Sequence, residues 1–147
     1  MQRLVLRLLM IAYFSPILGI MPGDDKKRER HQILVVDDDE GIREAMVSIL
    51  QVMGYSVASA INGKEALDYL RNAATPDLII SDLAMPIMDG RQFRREQVKE
   101  PRLAKIPVIV VSALSDQTDI DANEIFIKPV EVEILLAAVD RYCRGSR

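Results

Sequence analysis

Four short apolar runs, rich in β-branched residues, each lead into a reactive side chain. They are residues 33–36 before Asp37 and Asp38, residues 78–80 shortly before Asp82, residues 108–111 before Ser112, and residues 125–127 before Lys128. Runs of this kind, bounded by turn and helix signals, predict strands buried on both faces of a parallel sheet. Because ligands bind at the carboxyl ends of such strands, three carboxylates, a hydroxyl and an ammonium are expected to meet at one edge of the sheet.

Segments with helical spacing and capping residues alternate with these runs. The predicted helices are 40–53, capped by Asp39 and ended by Gly54; 63–72, opened by Asn62-Gly63; one opened by Asp89-Gly90 and closed by Pro101; and 130–143. The predicted strands are 32–36, 55–59, 78–82, 107–111 and 124–128. This alternation predicts an α/β fold in which helices cover a parallel sheet on both faces.

The polar residues at the sheet edge suit one hard divalent cation and one phosphoryl group. Mg²⁺ prefers oxygen ligands, which Asp37, Asp38 and Asp82 can supply. A carboxylate can also act as a nucleophile and form an acyl phosphate. Lys128 is the obvious side-chain cation to neutralise the transferring oxygens, and the hydroxyl of Ser112 can donate a hydrogen bond to one of them.

Four segments carry a resemblance to the receiver domain of two-component response regulators. They read ILVVDDDEGIR at 33–43, PDLIISDLAMPIMDG at 76–90, IPVIVVSA at 106–113 and IKPV at 127–130. The resemblance covers roughly residues 32–143. With the alternation of strands and helices it predicts a flavodoxin-like, doubly wound, five-stranded parallel sheet of strand order 2-1-3-4-5.

The resemblance also implies a role for each acidic residue. Asp82 would accept a phosphoryl group from a histidine kinase or a histidine phosphotransfer protein, in a Mg²⁺-dependent reaction. Asp38 and Asp82 would bind the metal directly and Asp37 through water, while the backbone carbonyl of Ala84 would complete the protein ligands. The chain would then be a signalling phosphoacceptor and not an enzyme.

Lys128 and Ser112 also receive roles from this resemblance. Lys128 would pair with the phosphoryl group and precede a cis peptide bond to Pro129, and Ser112 would be the switch hydroxyl. Because the sequence ends soon after the last helix, we expect a stand-alone receiver that signals to a downstream protein by direct contact.

The region after strand four departs from the family pattern. Only residues 113–123 separate strand four from strand five, so the fourth helix, which would form this crossover, is shortened to one or two turns. The usual switch aromatic, three residues before the lysine, is replaced by Ile125, and Phe126 follows one place later. Since side chains alternate across a strand, Phe126 is expected to face the opposite side from Ile125, which places its switch role in doubt.

Two further positions concern the lifetime of the phosphoryl group. In the family, the residues two places after the acceptor and two after the switch hydroxyl flank the approach of the hydrolytic water. Here they are Ala84 and Leu114, and neither side chain can hydrogen-bond a water. The acyl phosphate is therefore expected to be comparatively long-lived.

Composition limits the other functions. The 147 residues carry a net charge of −3 with a pI near 5.2, which gives no basic surface for nucleic acid. Cys143 is the single cysteine, so the chain has neither a disulfide framework nor a thiolate metal site, and a cytoplasmic location is expected.

Residues 1–22 differ from the rest, because two arginines precede an apolar stretch that a proline interrupts. The stretch is shorter than the approximately 20 residues that a spanning helix needs. Three interpretations stay open: a wrongly assigned start, a weak anchor that tethers the chain to the inner face of the membrane, or an exported protein. Residues 23–31 are expected to form a charged linker, 32–143 the receiver body and 144–147 a tail.

Two other functions compete with the phosphoacceptor hypothesis. An aspartate-nucleophile phosphatase requires an acid two residues after the nucleophile, where this chain has Ala84. A receiver-like module that binds protein without phosphorylation would explain the short crossover, but it would not require the set of acids, serine and lysine. Arg91, Arg94 and Arg95 are expected to form a solvated face of the third helix.

Overall fold

The apolar runs form the strands of one sheet, and the capped segments form the helices around it. The computed structural model describes residue 9, residues 31–113 and residues 120–145. In chain order the elements are β1 (Gln32–Val36), α1 (Glu40–Val52), β2 (Ser56–Ala60), α2 (Gly63–Asn72), β3 (Leu78–Ser81), α3 (Gly90–Lys99), α4 (Pro101–Ala104), β4 (Val108–Ser112), β5 (Glu124–Ile127) and α5 (Val132–Gly145).

The sheet has the predicted topology. Its five strands are parallel and follow the order β2-β1-β3-β4-β5, which confirms the flavodoxin-like, doubly wound arrangement. Val36 of β1 pairs with Ser81 of β3, which pairs in turn with Val110 of β4. The carboxyl ends of the central strands therefore lie side by side, as a site assembled from strand ends requires.

Two hydrophobic cores lie on the two faces of the sheet. Ile33 and Val35 of β1 pack in the core shared with α1 and α5, whereas Leu34 and Val36 pack in the core shared with α2 and α3. All four side chains are buried. This double burial explains why the strand sequences are continuously apolar and do not alternate with polar residues.

Three helices begin with the predicted side-chain caps. Asp39 accepts a hydrogen bond from the backbone N–H of Ile42 at 2.9 Å, and Asn62 and Asp89 cap α2 and α3 in the same way. Such caps satisfy backbone donors that a helix start leaves unpaired. They also fix where each helix leaves the carboxyl edge of the sheet.

Some element bounds differ from the sequence prediction. Strands β2 and β4 are displaced by one residue, and β3 and β5 end one residue earlier than predicted. The last helix runs over Val132–Gly145 instead of 130–143, so it extends into the expected tail. The helical turn α4 departs from the sequence prediction, in which Pro101 ends α3. Proline is compatible with the first position of a helix, where its missing N–H has no partner to lose.

Other predictions fall largely on parts of the chain that the structure does not describe. The shortened fourth helix falls mostly within residues 114–119, which also include Leu114, and residues 120–123 are not helical. The N-terminal segment, apart from Leu9, and the linker before His31 lie outside the described residues as well. No helix in the described part is long and apolar enough to cross a bilayer.

The predicted solvated arginine face of α3 is wrong for Arg94, whereas Arg95 is exposed as expected. The side chain of Arg94 is 12% exposed and donates to the backbone carbonyl of Asp121 at 2.7 Å and to the amide oxygen of Gln97 at 3.0 Å. Gln97 is fully buried and donates to the carbonyls of Leu103 and Ile106. The contact with Asp121 attaches the crossover before β5 to α3, and the bonds of Gln97 hold the segment between α3 and β4.

The loop between β3 and α3 is held in a tight conformation. Gly90 donates its N–H to the carbonyl of Leu83 at 2.9 Å, and a Cβ at this glycine would overlap the carbonyl oxygen of Asp82. Within the loop, Met88 donates to the carbonyl of Pro86 at 2.7 Å around Ile87, which has a φ of 69°. This is a γ-turn, and a positive φ is unfavourable for a β-branched residue.

Replacing Ile87 with glycine should therefore stabilise the protein. The side chain is 77% exposed and contributes little buried area, whereas glycine adopts a positive φ without steric cost. We expect Ile87→Gly to raise the free energy of unfolding by about 1 kcal/mol, measured by urea denaturation.

Ile134→Gly provides the matched control. Ile134 is also exposed but lies in α5, where glycine weakens the helix, so this variant should lose about 1 kcal/mol. A loss of stability in both variants would contradict the assignment of backbone strain to residue 87.

Candidate functional site

Three carboxylates meet at the carboxyl edge of the sheet, as the sequence predicts. Asp37, Asp38 and Asp82 each offer an oxygen, and these oxygens lie within 4.8 Å of one another. Asp37 and Asp38 follow β1 directly, and Asp82 follows β3 directly. The pairing of β1 with β3 therefore brings the three acids together.

Backbone and side-chain hydrogen bonds fix the position of Asp37. Its N–H donates to the carbonyl of Ala60 at 3.1 Å, and its Oδ1 accepts from the N–H of Asp39 at 2.9 Å. The guanidinium of Arg43 donates to the Asp37 carbonyl at 2.9 Å. The sequence analysis does not predict this contact of Arg43. Its position in the first turn of α1, close to the end of β1, is the feature that could have indicated it.

Asp82 is held equally firmly and is only partly accessible. Its N–H donates to the carbonyl of Val36 at 2.9 Å, and its Oδ1 accepts from the N–H of Leu83 at 2.7 Å. Its side chain is 10% exposed. The carboxylate thus lies recessed, with Oδ2 directed toward the neighbouring charges.

Lys128 brings a positive charge to this cluster. Its Nζ lies 3.3 Å from Oδ2 of Asp82, to which it donates a hydrogen bond, and 3.5 Å from Oδ2 of Asp37. Its backbone N–H donates to the carbonyl of Ser112 at 2.8 Å, across the paired ends of β4 and β5. The predicted cis peptide bond between Lys128 and Pro129 is confirmed.

Burial and the neighbouring charges shift two pKa values at this site. Burial raises the pKa of Asp37, and the charges of Asp82 and Asp38 add to the rise, while the Asp39 N–H and the Lys128 ammonium oppose it. Burial lowers the pKa of Lys128, but the carboxylates of Asp37 and Asp82 outweigh it and raise that pKa overall. Because the folded state holds the Asp37 proton more tightly than the unfolded chain, Asp37 contributes stability at acid pH that is lost as the pH rises through its raised pKa.

The donor set fits Mg²⁺. All three side chains offer hard oxygen ligands, and the one cation in contact with them among the described residues, Lys128, leaves the ionised cluster with excess negative charge. Burial is the main cause of the raised pKa of Asp37, and the charges of Asp82 and Asp38 add to it. A divalent cation would neutralise the excess charge.

Other predicted site residues lie near this edge but outside the cluster of three carboxylates. Ser112 is fully buried at the end of β4, and its Oγ donates to the carbonyl of Ala113 at 2.9 Å. Ala84 is exposed on the loop after Asp82. Phe126 is half-buried and packs in the core with α1 and α5, whereas Ile125 is exposed, so the predicted opposite facing of these two residues is confirmed.

A family comparison agrees with this geometry. The family model described as the response regulator receiver domain matches residues 33–140. The chain belongs to the response regulator receiver family. Receiver domains are signalling phosphoacceptors of two-component systems, bind Mg²⁺ at an acidic pocket and are not, in general, enzymes.

Individual relatives support the same family. The chain is 35% identical over 125 residues to the probable transcriptional regulator ycf27 of Cyanidium caldarium, and the match covers 81% of this chain and 49% of that relative. The chain thus spans about half the length of the first curated relatives that it matches.

Solved structures share the fold of this receiver. The signal receiver domain of a signal transduction histidine kinase from Syntrophus aciditrophicus is 37% identical, with a TM-score of 0.71 over 78% of this chain and 91% of that chain. The response regulator TrrA of Thermotoga maritima, solved in complex with Mg²⁺ and BeF, is 32% identical, with a TM-score of 0.68 over 76% of this chain and 98% of that chain.

The charge cluster predicts a specific effect of neutralising Asp37. Asparagine keeps an oxygen acceptor for the Asp39 N–H but removes one buried negative charge. We expect Asp37→Asn to be more stable than the native chain by about 1 kcal/mol at pH 7 in EDTA and to gain less thermal stability from added Mg²⁺.

Asp39→Asn is the matched control, because it removes a nearby exposed charge while asparagine retains the cap of α1. It should leave both the stability in EDTA and the response to Mg²⁺ nearly unchanged. Equal Mg²⁺ stabilisation of Asp37→Asn and the native receiver would remove Asp37 from the metal site.

Proposed function

We propose that this receiver accepts a phosphoryl group on Asp82 from a phosphohistidine of a sensor kinase or phosphotransfer protein. The observation that carries the proposal is the contact of one carboxylate, Asp82, with both the acidic cluster and the ammonium of Lys128. The recessed carboxylate has two acids and a lysine around it. This arrangement suits a nucleophile that attacks a highly charged phosphoryl group.

The transfer follows from the position of these groups. An oxygen of the Asp82 carboxylate attacks phosphorus while the bond from phosphorus to the histidine nitrogen breaks, and the released imidazole takes a proton from solvent. The hydrogen bond from the Leu83 N–H to Oδ1 orients the nucleophile. The Nζ of Lys128 lies 3.3 Å from Oδ2 of Asp82. From there the ammonium can move to a phosphoryl oxygen when the negatively charged phosphoryl group is transferred.

Asp38 and Asp82 would bind Mg²⁺ directly, Asp37 would bind it through water, and the backbone carbonyl of Ala84 would complete the protein ligands. When bound, the metal supplies positive charge that neutralises the cluster and the transferring oxygens. The fit of the donor atoms supports this set, since three carboxylate oxygens lie within 4.8 Å of one another.

Ser112 would report the phosphoryl group by redirecting its hydroxyl. In the present state this hydroxyl donates to Ala113, and a phosphoryl oxygen would be a stronger, charged acceptor. A movement of Ser112 would reach β5 through the hydrogen bond between its carbonyl and the Lys128 N–H. The core position of Phe126 argues against an aromatic switch at that residue.

Signalling by protein contact is part of the same proposal. The net charge of −3 gives no electrostatic basis for nucleic-acid binding by this chain, so a downstream protein is the expected partner. We place the receiver body at residues 32–143, in a compartment where an ATP-fed kinase can reach it. Stand-alone action and membrane tethering by residues 1–22 stay predictions.

Substitution of Asp82 tests the acceptor. We expect Asp82→Asn to gain no phosphoryl mass after incubation with phosphoramidate and Mg²⁺, whereas Asp38→Asn should label slowly because it lacks a metal ligand and not the acceptor. Intact-mass spectrometry measures both.

Asp89→Asn serves as the control. Residue 89 lies on the loop that follows Asp82, and asparagine can still cap α3 there. It should label like the native receiver. Labelling of Asp82→Asn at the native rate would assign the phosphoryl group to another residue.

The lifetime of the acyl phosphate provides a further test. A polar side chain at either flanking position would orient the hydrolytic water, so we expect Ala84→Asn and Leu114→Glu each to speed decay by about tenfold, equivalent to roughly 1.4 kcal/mol of barrier. The decay of phosphorylated protein in Mg²⁺ at fixed pH measures this.

Ala74→Asn is the matched control at an exposed alanine before β3, at the opposite edge of the sheet. It should decay at the native rate. Unchanged decay in both flanking variants would show that water access is controlled elsewhere.

A further inference from the structure

A cavity of about 150 Å³ lies between α3 and the crossover that leads into β5. Three arginines of α3 line it, together with two apolar side chains and one carboxylate; these residues are Arg91, Arg94, Arg95, Val98, Ile120 and Asp121. None of them belongs to the acidic cluster at the carboxyl edge of the sheet. The cavity is therefore a basic site, separate from the acidic site that the proposed function uses.

The position of the arginines is unfavourable for the helix that carries them. Helix α3 runs over Gly90–Lys99, so Arg91 lies in its first turn, which contains no acidic residue. The helix dipole disfavours a positive charge near a helix N-terminus. Arg91 and Arg95 are also four positions apart, a spacing at which like charges on a helix repel each other. A bound anion would relieve both effects.

Arg94 gives the cavity a fixed wall. Its Nε donates at 2.7 Å to the backbone carbonyl of Asp121, and its guanidinium also donates at 3.0 Å to the amide oxygen of Gln97. The side chain is 12% exposed, so these two bonds hold its guanidinium in one orientation. A donor group that is already held in place loses little conformational entropy when a ligand binds beside it.

The polar part of the lining suits a phosphate group. A guanidinium donates N–H groups in a planar fork that matches two oxygens of a phosphate. Within the described residues, Asp121 is the one carboxylate of the lining, so the guanidinium groups outnumber it three to one. The cavity has the volume of about five water molecules, which is room for a phosphate group and the first atoms of its substituent.

The cavity also has an apolar side, formed by Val98 and Ile120. Val98 is 41% exposed near the end of α3, and Ile120 is half-buried against the core that α2 and α3 share. A few convergent polar groups beside apolar walls are typical of small-molecule sites. An apolar group attached to the phosphate would lose contact with water against these two side chains.

We propose that this cavity binds a small molecule that carries a phosphate monoester next to an apolar group. Arg91 and Arg95 bind the phosphate oxygens, Arg94 forms the fixed wall, and Val98 contacts the apolar group together with Ile120. Binding joins α3 to the crossover before β5. This site goes beyond the proposed phosphoacceptor function and does not depend on it.

Phenyl phosphate is the main probe, because it combines a phosphate dianion with an apolar ring, whereas inorganic phosphate lacks the ring. NMR of the ¹⁵N-labelled 147-residue chain measures binding from the backbone and the arginine Nε–H resonances, in EDTA at constant ionic strength. Without a divalent cation, the cluster of Asp37, Asp38 and Asp82 repels anions and does not compete for the probe.

Two variants each remove one guanidinium group, Arg91→Gln and Arg95→Gln. Lys105→Gln is the control, because Lys105 is exposed and lies outside the lining. We expect each arginine variant to bind phenyl phosphate about tenfold more weakly than the native chain. The control and Asp82→Asn should bind it as the native chain does.

Two further measurements separate binding from folding. Val98→Asn should bind phenyl phosphate about threefold more weakly but inorganic phosphate equally well, because it removes only apolar contact. Without any probe, Arg95→Gln should unfold at or above the native temperature, because it relieves the repulsion from Arg91. A lower unfolding temperature of Arg95→Gln would assign that arginine a structural role and contradict the proposal.

Equal affinity of the native chain and both arginine variants for phenyl phosphate would overturn the proposal. Absence of any shift in the arginine resonances at about 10 mM probe would overturn it as well. Because phosphoramidate labelling of Asp82 does not involve these arginines, either result leaves the phosphoacceptor function intact.

Discussion

The contact of one ammonium with two recessed carboxylates is the interaction on which the site depends. Lys128 balances part of the charge of Asp82 and Asp37, at 3.3 and 3.5 Å, but a third acid, Asp38, lies beside them. Burial strengthens both the attraction and the repulsion. The cluster is consequently an unfavourable arrangement for the isolated fold and a favourable one for a site that takes up a cation and a phosphoryl group.

The parallel sheet makes this arrangement possible at small conformational cost. Strands β1, β3, β4 and β5 each have a polar site residue at or just after the carboxyl end. The hydrogen-bonded pairing of these strands fixes the spacing of their ends. The two cores on either face hold the strands in register. The repulsion within the cluster is thus opposed by packing in which the charged residues take no part.

The architecture and the cluster could be predicted from sequence because both depend on local patterns. Continuous apolar runs specify strands buried on both faces, and the residue after each run falls at the common edge. Features that depend on the three-dimensional arrangement of the elements and loops could not be predicted in this way. The burial of Arg94 depends on Asp121 across the crossover, the bond from Arg43 to the Asp37 carbonyl depends on the direction of α1, and the positive φ of Ile87 depends on the constraints of its loop.

The central claim is that the fold holds ionised acids close together until a cation neutralises them, and the titration of Asp37 tests it most directly. The ¹³C resonance of its carboxyl group, followed by NMR as a function of pH, reports chiefly the protonation of this residue. We expect a pKa above the ordinary value for an aspartate in EDTA, and a lower pKa in Mg²⁺. An unshifted pKa in EDTA, or a pKa that Mg²⁺ leaves unchanged, would contradict the claim.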